Sequence, residues 1–136
     1  MKDKREADLD LFVQAVLGKQ AQGVVVLDVR KLTSIADTFI ICSGRSNRQV
    51  SAIADHIQRF LRKKSIKPLS VEGKTEGLWV LMDYGHVIIH VFYETTRAFY
   101  DLEGLWSDAK RITTKSMAEQ READAKGFEG EEVFIE

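Results

Sequence analysis

Apolar positions along the chain change their spacing from helical to extended and back. Leu9, Phe12, Val13, Val16 and Leu17 recur at helical intervals and predict an amphipathic helix over 7–20. Asp8 and Asp10 are expected in its first turn, where the helix dipole favours acids. Val24–Leu27 is continuously apolar, as in a strand covered on both faces. Lys31–Asp37 reads as a short connection, and Thr38–Cys42 as a second apolar strand. After the turn Ser43-Gly44-Arg45, Ser46 and Gln49 have the spacing of a capping box. Val50, Ile53, Ala54, Ile57 and Leu61 then form the buried stripe of a helix. Arg62, Lys63 and Lys64 close it at the negative end of its dipole, and Pro68 blocks continuation.

Leu69–Val71 predicts a short third strand, and 73–77 a turn. Leu78–Phe92 then reads as a hairpin, with Tyr84-Gly85 as a two-residue loop. That loop pairs Met82 with Val87, Leu81 with Ile88, Val80 with Ile89 and Trp79 with His90. Side chains alternate across a strand. One face therefore carries Leu78, Val80, Met82, Val87, Ile89 and Val91, and reads as core. The other carries Trp79, Leu81, Asp83, His86, Ile88 and His90, a mixture that suits a binding surface. Tyr84 fits the positive φ of a type I′ turn poorly.

Residues 95–100 and 102–106 predict short, aromatic-rich helical pieces folded back onto the sheet. The strand–helix–strand unit of 38–71 predicts a right-handed parallel crossover, and the short links elsewhere predict antiparallel neighbours. The fold class is thus α/β (α+β-like): a mixed sheet of about five strands with packed helices. Residues 1–110 are expected to form the domain. Residues 111–136 form a charged C-terminal tail, expected to be largely disordered, with a frayed helix over 114–126. Val133-Phe134-Ile135 is a weak candidate docking motif.

Composition narrows this only modestly. The 136 residues are 44% hydrophobic and 30% charged, enough for one soluble domain with a real core. One cysteine excludes an internal disulfide and suits a reducing, cytoplasmic setting. No apolar run nears the roughly 18 residues of a membrane span, and the charged N-terminus has no apolar signal core. The net charge of −1 argues against bare nucleic acid, DNA included, as the partner, although a local basic patch is compatible with it.

Chemistry is thin. His86 and His90 lie about 13 Å apart along a strand, too far to share a metal. Cys42, in a buried strand, reads as a small hydrophobe. Asp8 and Asp10, with the turn at Ser43-Gly44, faintly suggest a two-metal nucleotidyltransferase-like enzyme. On a helix, however, alternate residues point roughly 200° apart. No metal or other cofactor is therefore expected. The stronger candidate is the Trp79 face, ringed by Glu72, Glu76, Asp83 and Glu94, as a dock for a basic protein. The alternatives are that helices cover this face, or that it joins two copies into a homodimeric scaffold.

Several segments, in order and spacing, resemble a known family. They are Asp37-Thr38-Phe39-Ile40-Ile41-Cys42-Ser43-Gly44, Ser46-Asn47-Arg48-Gln49, Val71-Glu72-Gly73, Trp79–Gly85, His90-Val91-Phe92, Arg97–Glu103 and Leu105-Trp106. The ordered set, within about 6–110, resembles the bacterial ribosomal silencing factor (Iojap-like) family. The resemblance implies a nucleotidyltransferase-like fold without the catalytic acids, and no enzyme activity. It implies binding to large-subunit ribosomal protein number fourteen, steric exclusion of the small subunit under nutrient limitation, and homodimers off the ribosome. It makes Trp79 the central anchor. Leu81, Tyr84, His90 and Phe92 would share its surface, and Glu72, Asp83 and Arg97 would give polar contacts. His86 departs from the family pattern, which has Asp at that position.

Overall fold

The computed structural model describes residues 4–135, with side chains described through 126. The elements in chain order are α1 (Lys4–Leu17), β1 (Gln22–Asp28), β2 (Thr38–Gly44), α2 (Asn47–Lys63), β3 (Ser70–Glu72), β4 (Trp79–Asp83), β5 (Val87–Tyr93), α3 (Glu94–Tyr100), α4 (Leu102–Leu105), β6 (Lys110–Ile112) and α5 (Lys115–Ile135). The strands form one mixed α+β sheet in the order β3-β4-β5-β2-β1-β6. Only β2 and β5 pair in parallel; the other neighbours are antiparallel. By this order β3 runs parallel to β2, as the crossover predicts, but β4 and β5 lie between them.

Side-chain alternation divides the sheet's surroundings into two cores. The first gathers Val80, Met82, Val87, Ile89 and Val91 against Phe12, Val13 and Val16 of α1 and the Val50–Leu61 stripe of α2. The second holds Leu27, Phe39, Ile41, Ile88 and Phe92. It is covered by Val29 and Ala36 of the connection after β1, and by Leu102 of α4. The capping expectation at α2 holds for Ser46, whose hydroxyl accepts from the Gln49 amide at 3.1 Å. The Gln49 side chain accepts instead from the Arg45 amide, one residue before the cap.

The hairpin register differs from the expected one by two residues. Trp79 pairs with Phe92, Val80 with Val91, Leu81 with His90, Met82 with Ile89 and Asp83 with Ile88. The Tyr84 amide donates to the Val87 carbonyl, so Gly85-His86 is the loop. Gly85 takes φ +91°, the left-handed region that a type II′ turn requires at its first central residue. The Asp83 carboxylate accepts from the Gly85 amide at 2.8 Å and fixes this turn. A slip of two keeps the paired strand residues on their expected faces, whereas a slip of one would have exchanged them; Leu78, expected on the core face, precedes β4 and is 45% exposed.

The chain after Ser107 departs most from expectation. β6 crosses the boundary expected at 110 and pairs with β1, and α5 continues from it. The Thr114 hydroxyl accepts from the Met117 amide, and Met117 is buried in the first core. The Val133-Phe134-Ile135 motif lies outside the described side chains. Asp10 proves to be well inside α1 rather than in its first turn. Its carboxylate accepts from the Ser116 amide at 3.0 Å, the Ser116 hydroxyl at 2.7 Å and Gln14 Nε2 at 3.1 Å. Thus α1 anchors the start of α5 across 106 residues of sequence.

Burial opposes the Asp10 charge, but the Ser116 and Gln14 donors outweigh it and hold the carboxyl at about 2, below the ordinary 3.8. A depressed folded value contributes stability above the unfolded pKa, and that contribution is lost as pH falls towards about 2. Asp10→Asn is therefore expected to lower unfolding free energy at neutral pH by about 2 kcal/mol. In urea titrations the difference from wild type should shrink between pH 4 and pH 2. An unchanged difference across that window would contradict the assignment.

Candidate docking face

The second face of the sheet carries a continuous series of aromatic contacts. Phe99 meets Tyr100 at 5.1 Å between ring centroids, and Tyr100 meets Trp79 at 5.1 Å. Trp79 stacks on Phe92 at 4.9 Å and lies 6.0 Å from His90. His90 meets Phe39 at 5.2 Å, and Phe39 meets Trp106 at 5.1 Å. The series begins on solvent at Phe99, passes through the buried Phe92, His90 and Phe39, and ends at the half-buried Trp106. Phe99 is 81% exposed, Tyr100 50%, Phe92 not at all, and Trp79, Leu81 and Trp106 are half-buried. Leu105 is 77% exposed on the neighbouring helix. Glu72 faces Leu81 across the β3–β4 ladder and is exposed.

The indole of Trp79 is held in place. Its Nε1–H donates to His90 Nδ1 at 3.2 Å. Burial pushes His90 down to about 4, so the imidazole is neutral near pH 7, with Nδ1 free to accept. Its other nitrogen, Nε2, has no hydrogen-bond partner among the described residues. That cost is accepted for an acceptor fixed beneath the tryptophan.

Arg97 uses all five of its donors inside the protein. Nε and Nη2 donate to the two carboxylate oxygens of Glu103, each at 3.1 Å. Nη1 donates to the Gln22 carbonyl at 3.3 Å and the Ser43 hydroxyl at 3.2 Å. Nη2 also donates to the Gly23 carbonyl at 2.7 Å. Gly23 has φ +57°, and a Cβ there would sit 2.8 Å from Nη1. The β1 register shifts at this same point. Between α3 and α4, Asp101 takes φ +45° and its side chain accepts from the Gly104 amide. This sharp corner presents Phe99, Tyr100 and Leu105 outward.

The residues expected to bind a partner therefore separate. Trp79, Leu81 and Glu72 lie on an accessible face. Asp83 borders it and is partly engaged by the turn. Phe92 and His90 are buried beneath Trp79 and can only support it. Arg97 is saturated internally and positions α3 rather than contacting a partner. Tyr84 is a correction of side as well as exposure. The two-residue slip puts it in the first core, edge-on to Phe12 at 5.3 Å, with its phenol pushed up to about 12 by burial. His86, expected on the same face as His90, instead meets Phe12 on the α1 side at 5.6 Å. Phe99, Tyr100 and Leu105 join this face beyond the residues expected there. Their signal was the cluster of large apolar residues on either side of Asp101 in helices too short to bury them.

Cys42 is buried and its thiol is pushed up to about 12 by burial. Among the described residues no group of three His, Cys, Asp or Glu side chains could hold a metal ion. No helix among them is long and apolar enough to cross a membrane.

Comparison with known proteins gives concordant matches. A family model described as ribosomal silencing factor during starvation matches residues 2–133. A ribosomal silencing factor of Halalkalibacterium halodurans is 42% identical over 104 residues, 76% of this chain and 89% of the relative. A crystal structure of a Chromobacterium violaceum protein superposes with a TM-score of 0.72 at 32% identity, covering 85% of this chain and 93% of that one. A mouse protein named for mitochondrial assembly of the ribosomal large subunit is 30% identical over 74% of this chain, which spans 45% of the mouse protein.

Two substitutions test this geometry. Arg97→Lys cannot span Glu103, Ser43 and two carbonyls from one nitrogen. It should destabilise the fold by at least about 2 kcal/mol, read by urea denaturation. For His90, the unfolded chain binds the extra proton between the ordinary 6.5 and the folded value of about 4. Stability should therefore be complete above pH 6.5 and decline as pH falls through that window. His90→Gln keeps an acceptor for Trp79 and should remove up to about 3 kcal/mol of that decline. His56 shifts the same way and remains in both proteins, so the difference between them reports His90.

Proposed function

Because the chain belongs to the ribosomal silencing factor family, we propose that it represses translation as a non-enzymatic ribosome anti-association factor. In this reading it binds large-subunit ribosomal protein number fourteen in the cytoplasm and holds the small subunit away. The observation that carries it is the exposed apolar face formed by Trp79, Leu81, Tyr100, Phe99 and Leu105, beside Glu72. Contiguous exposed aromatics mark interaction surfaces. A rigid tryptophan bordered by acids suits a basic protein, with apolar burial giving affinity and charge steering encounter. The mouse relative's name points to the large subunit as the place of action.

Blocking by bulk asks little more of the molecule. A compact chain of this length has a radius of gyration of about 14 Å. Seated at a subunit interface, it would hold the opposing surfaces apart by more than any interface tolerates. Off the ribosome, the same apolar face would pair two copies, so that the homodimer and the ribosome-bound form exclude each other.

Trp79→Ala should leave the fold intact and weaken binding to large subunits more than tenfold, the equivalent of at least about 2 kcal/mol for a buried aromatic anchor. Sucrose gradients with both subunits read the consequence, with full subunit joining expected in the presence of the variant. Wild-type inhibition by the variant would sink the docking face. Light scattering of the free variant should likewise show loss of dimer.

A further inference from the structure

The net charge of −1 conceals a strong local imbalance. Residues 38–71 contain seven Lys and Arg side chains and one acid. That acid, Asp55, is ion-paired with Lys74. Five of the seven cations, Arg59, Arg62, Lys63, Lys64 and Lys67, lie on the last turns of α2 and just beyond. All five are exposed, and none has an ion-pair partner among the described residues. Lys19, just beyond the end of α1, joins them. Gly18 abuts the His56 ring of α2, where a Cβ would stand 2.5 Å from Nε2. Burial lowers His56, and Lys19, Arg59 and Lys63 lower it further, so their fields converge at that ring.

Helix-end electrostatics explains only part of this cluster. The dipole favours cations in the last turn, where Arg62 and Lys63 lie. Lys19, Arg59 and Lys67 fall outside it. Arg59 stands three and four residues before Arg62 and Lys63, the spacings at which like charges repel. Such a cluster costs stability unless polyanionic charge meets it. Lys64 lies 6.0 Å from the Phe60 ring centroid, which orients one of the cations. The patch lies on the helix-covered side of the sheet, opposite the Trp79 face, because α2 packs into the first core.

We propose that the end of α2 is a phosphate-backbone contact, and that its occupant on the ribosome is ribosomal RNA. The choice of RNA among polyanions rests on the ribosomal reading above. The fit is by charge alone: flexible ammonium groups and guanidinium forks neutralise phosphates without reading bases. Both surfaces can be occupied together, since they lie on opposite sides of the sheet.

Fluorescence anisotropy of the full chain with a labelled 20-base-pair RNA duplex tests this directly. With about four phosphate contacts, wild-type affinity should fall roughly a hundredfold between 50 and 200 mM salt. The triple variant Arg62→Gln, Lys63→Gln, Lys64→Gln should bind at least tenfold more weakly, with a salt slope shallower by about three. Its melting should be no lower than wild type, since all three side chains are exposed and their mutual repulsion is relieved. Trp79→Ala should bind the duplex normally, and the triple variant should bind isolated ribosomal protein number fourteen normally. Absence of salt-dependent RNA binding, equal binding by the triple variant, or tighter binding to phosphatidylserine vesicles than to RNA would each overturn the proposal. Those results would leave protein docking standing. Loss of docking in Trp79→Ala, or its persistence, bears only on the apolar face.

Discussion

The Arg97 guanidinium joins parts of the chain that are distant in sequence. It reaches the Gln22 and Gly23 carbonyls at the β1 irregularity, the Ser43 hydroxyl near the end of β2, and both oxygens of Glu103 in α4. Each of these groups would otherwise need water, and the carbonyls lie where the β1–β2 ladder is interrupted. The charge of Glu103 and the irregular backbone of β1 thus meet one planar cation with a donor for each. The bidentate pair joins α3 to α4, and the bonds to β1 and β2 seat α3 on the sheet, where its Tyr100 meets Trp79. The exposed face is a consequence of this internal network.

Rigidity at the face has a second source. Trp79 is held from below by Phe92 and from the side by the hydrogen bond to neutral His90. An anchor already fixed in its bound rotamer loses less freedom on association. His90 Nε2, without a partner among the described residues, is the cost of that order in the free protein. Cover of the second face is also uneven. The connection after β1 and α4 close over Leu27, Phe39 and Ile41, while the β3–β4 side stays open around Leu81 and Trp79.

Most of this architecture was legible in residue periodicity. The aliphatic face of the hairpin, the α2 stripe and the parallel relation of β2 to β3 all follow from alternation and spacing. The hairpin loop was misplaced because two registers differing by two residues give identical faces. Only the turn chemistry distinguishes them, and Gly85 at the first loop position satisfies it where Tyr84 could not. β6 escaped notice because Lys110-Arg111-Ile112 has one apolar residue and owes its pairing to the β1 edge. The link from Asp10 to Ser116 left no local trace, since its partners are 106 residues apart. Buried and exposed members of the aromatic series are alike in sequence, so the separation of Phe92 from Phe99 required coordinates.

The titratable groups bear on what kind of protein this is. General acid–base catalysis favours pKa values near the working pH. Here the perturbed groups move the other way. Asp10 falls to about 2 through its Ser116 clasp, His90 falls to about 4 through burial, and the Cys42 thiol rises to about 12. Near pH 7 each is locked in one protonation state and serves packing or a structural hydrogen bond. Asp8, two residues before Asp10, is exposed on the helix that holds Asp10 inward. Two carboxylates so divided cannot share a cation. The described surface carries an apolar area on one side of the sheet and a basic cluster on the other. Both suit the docking role proposed above.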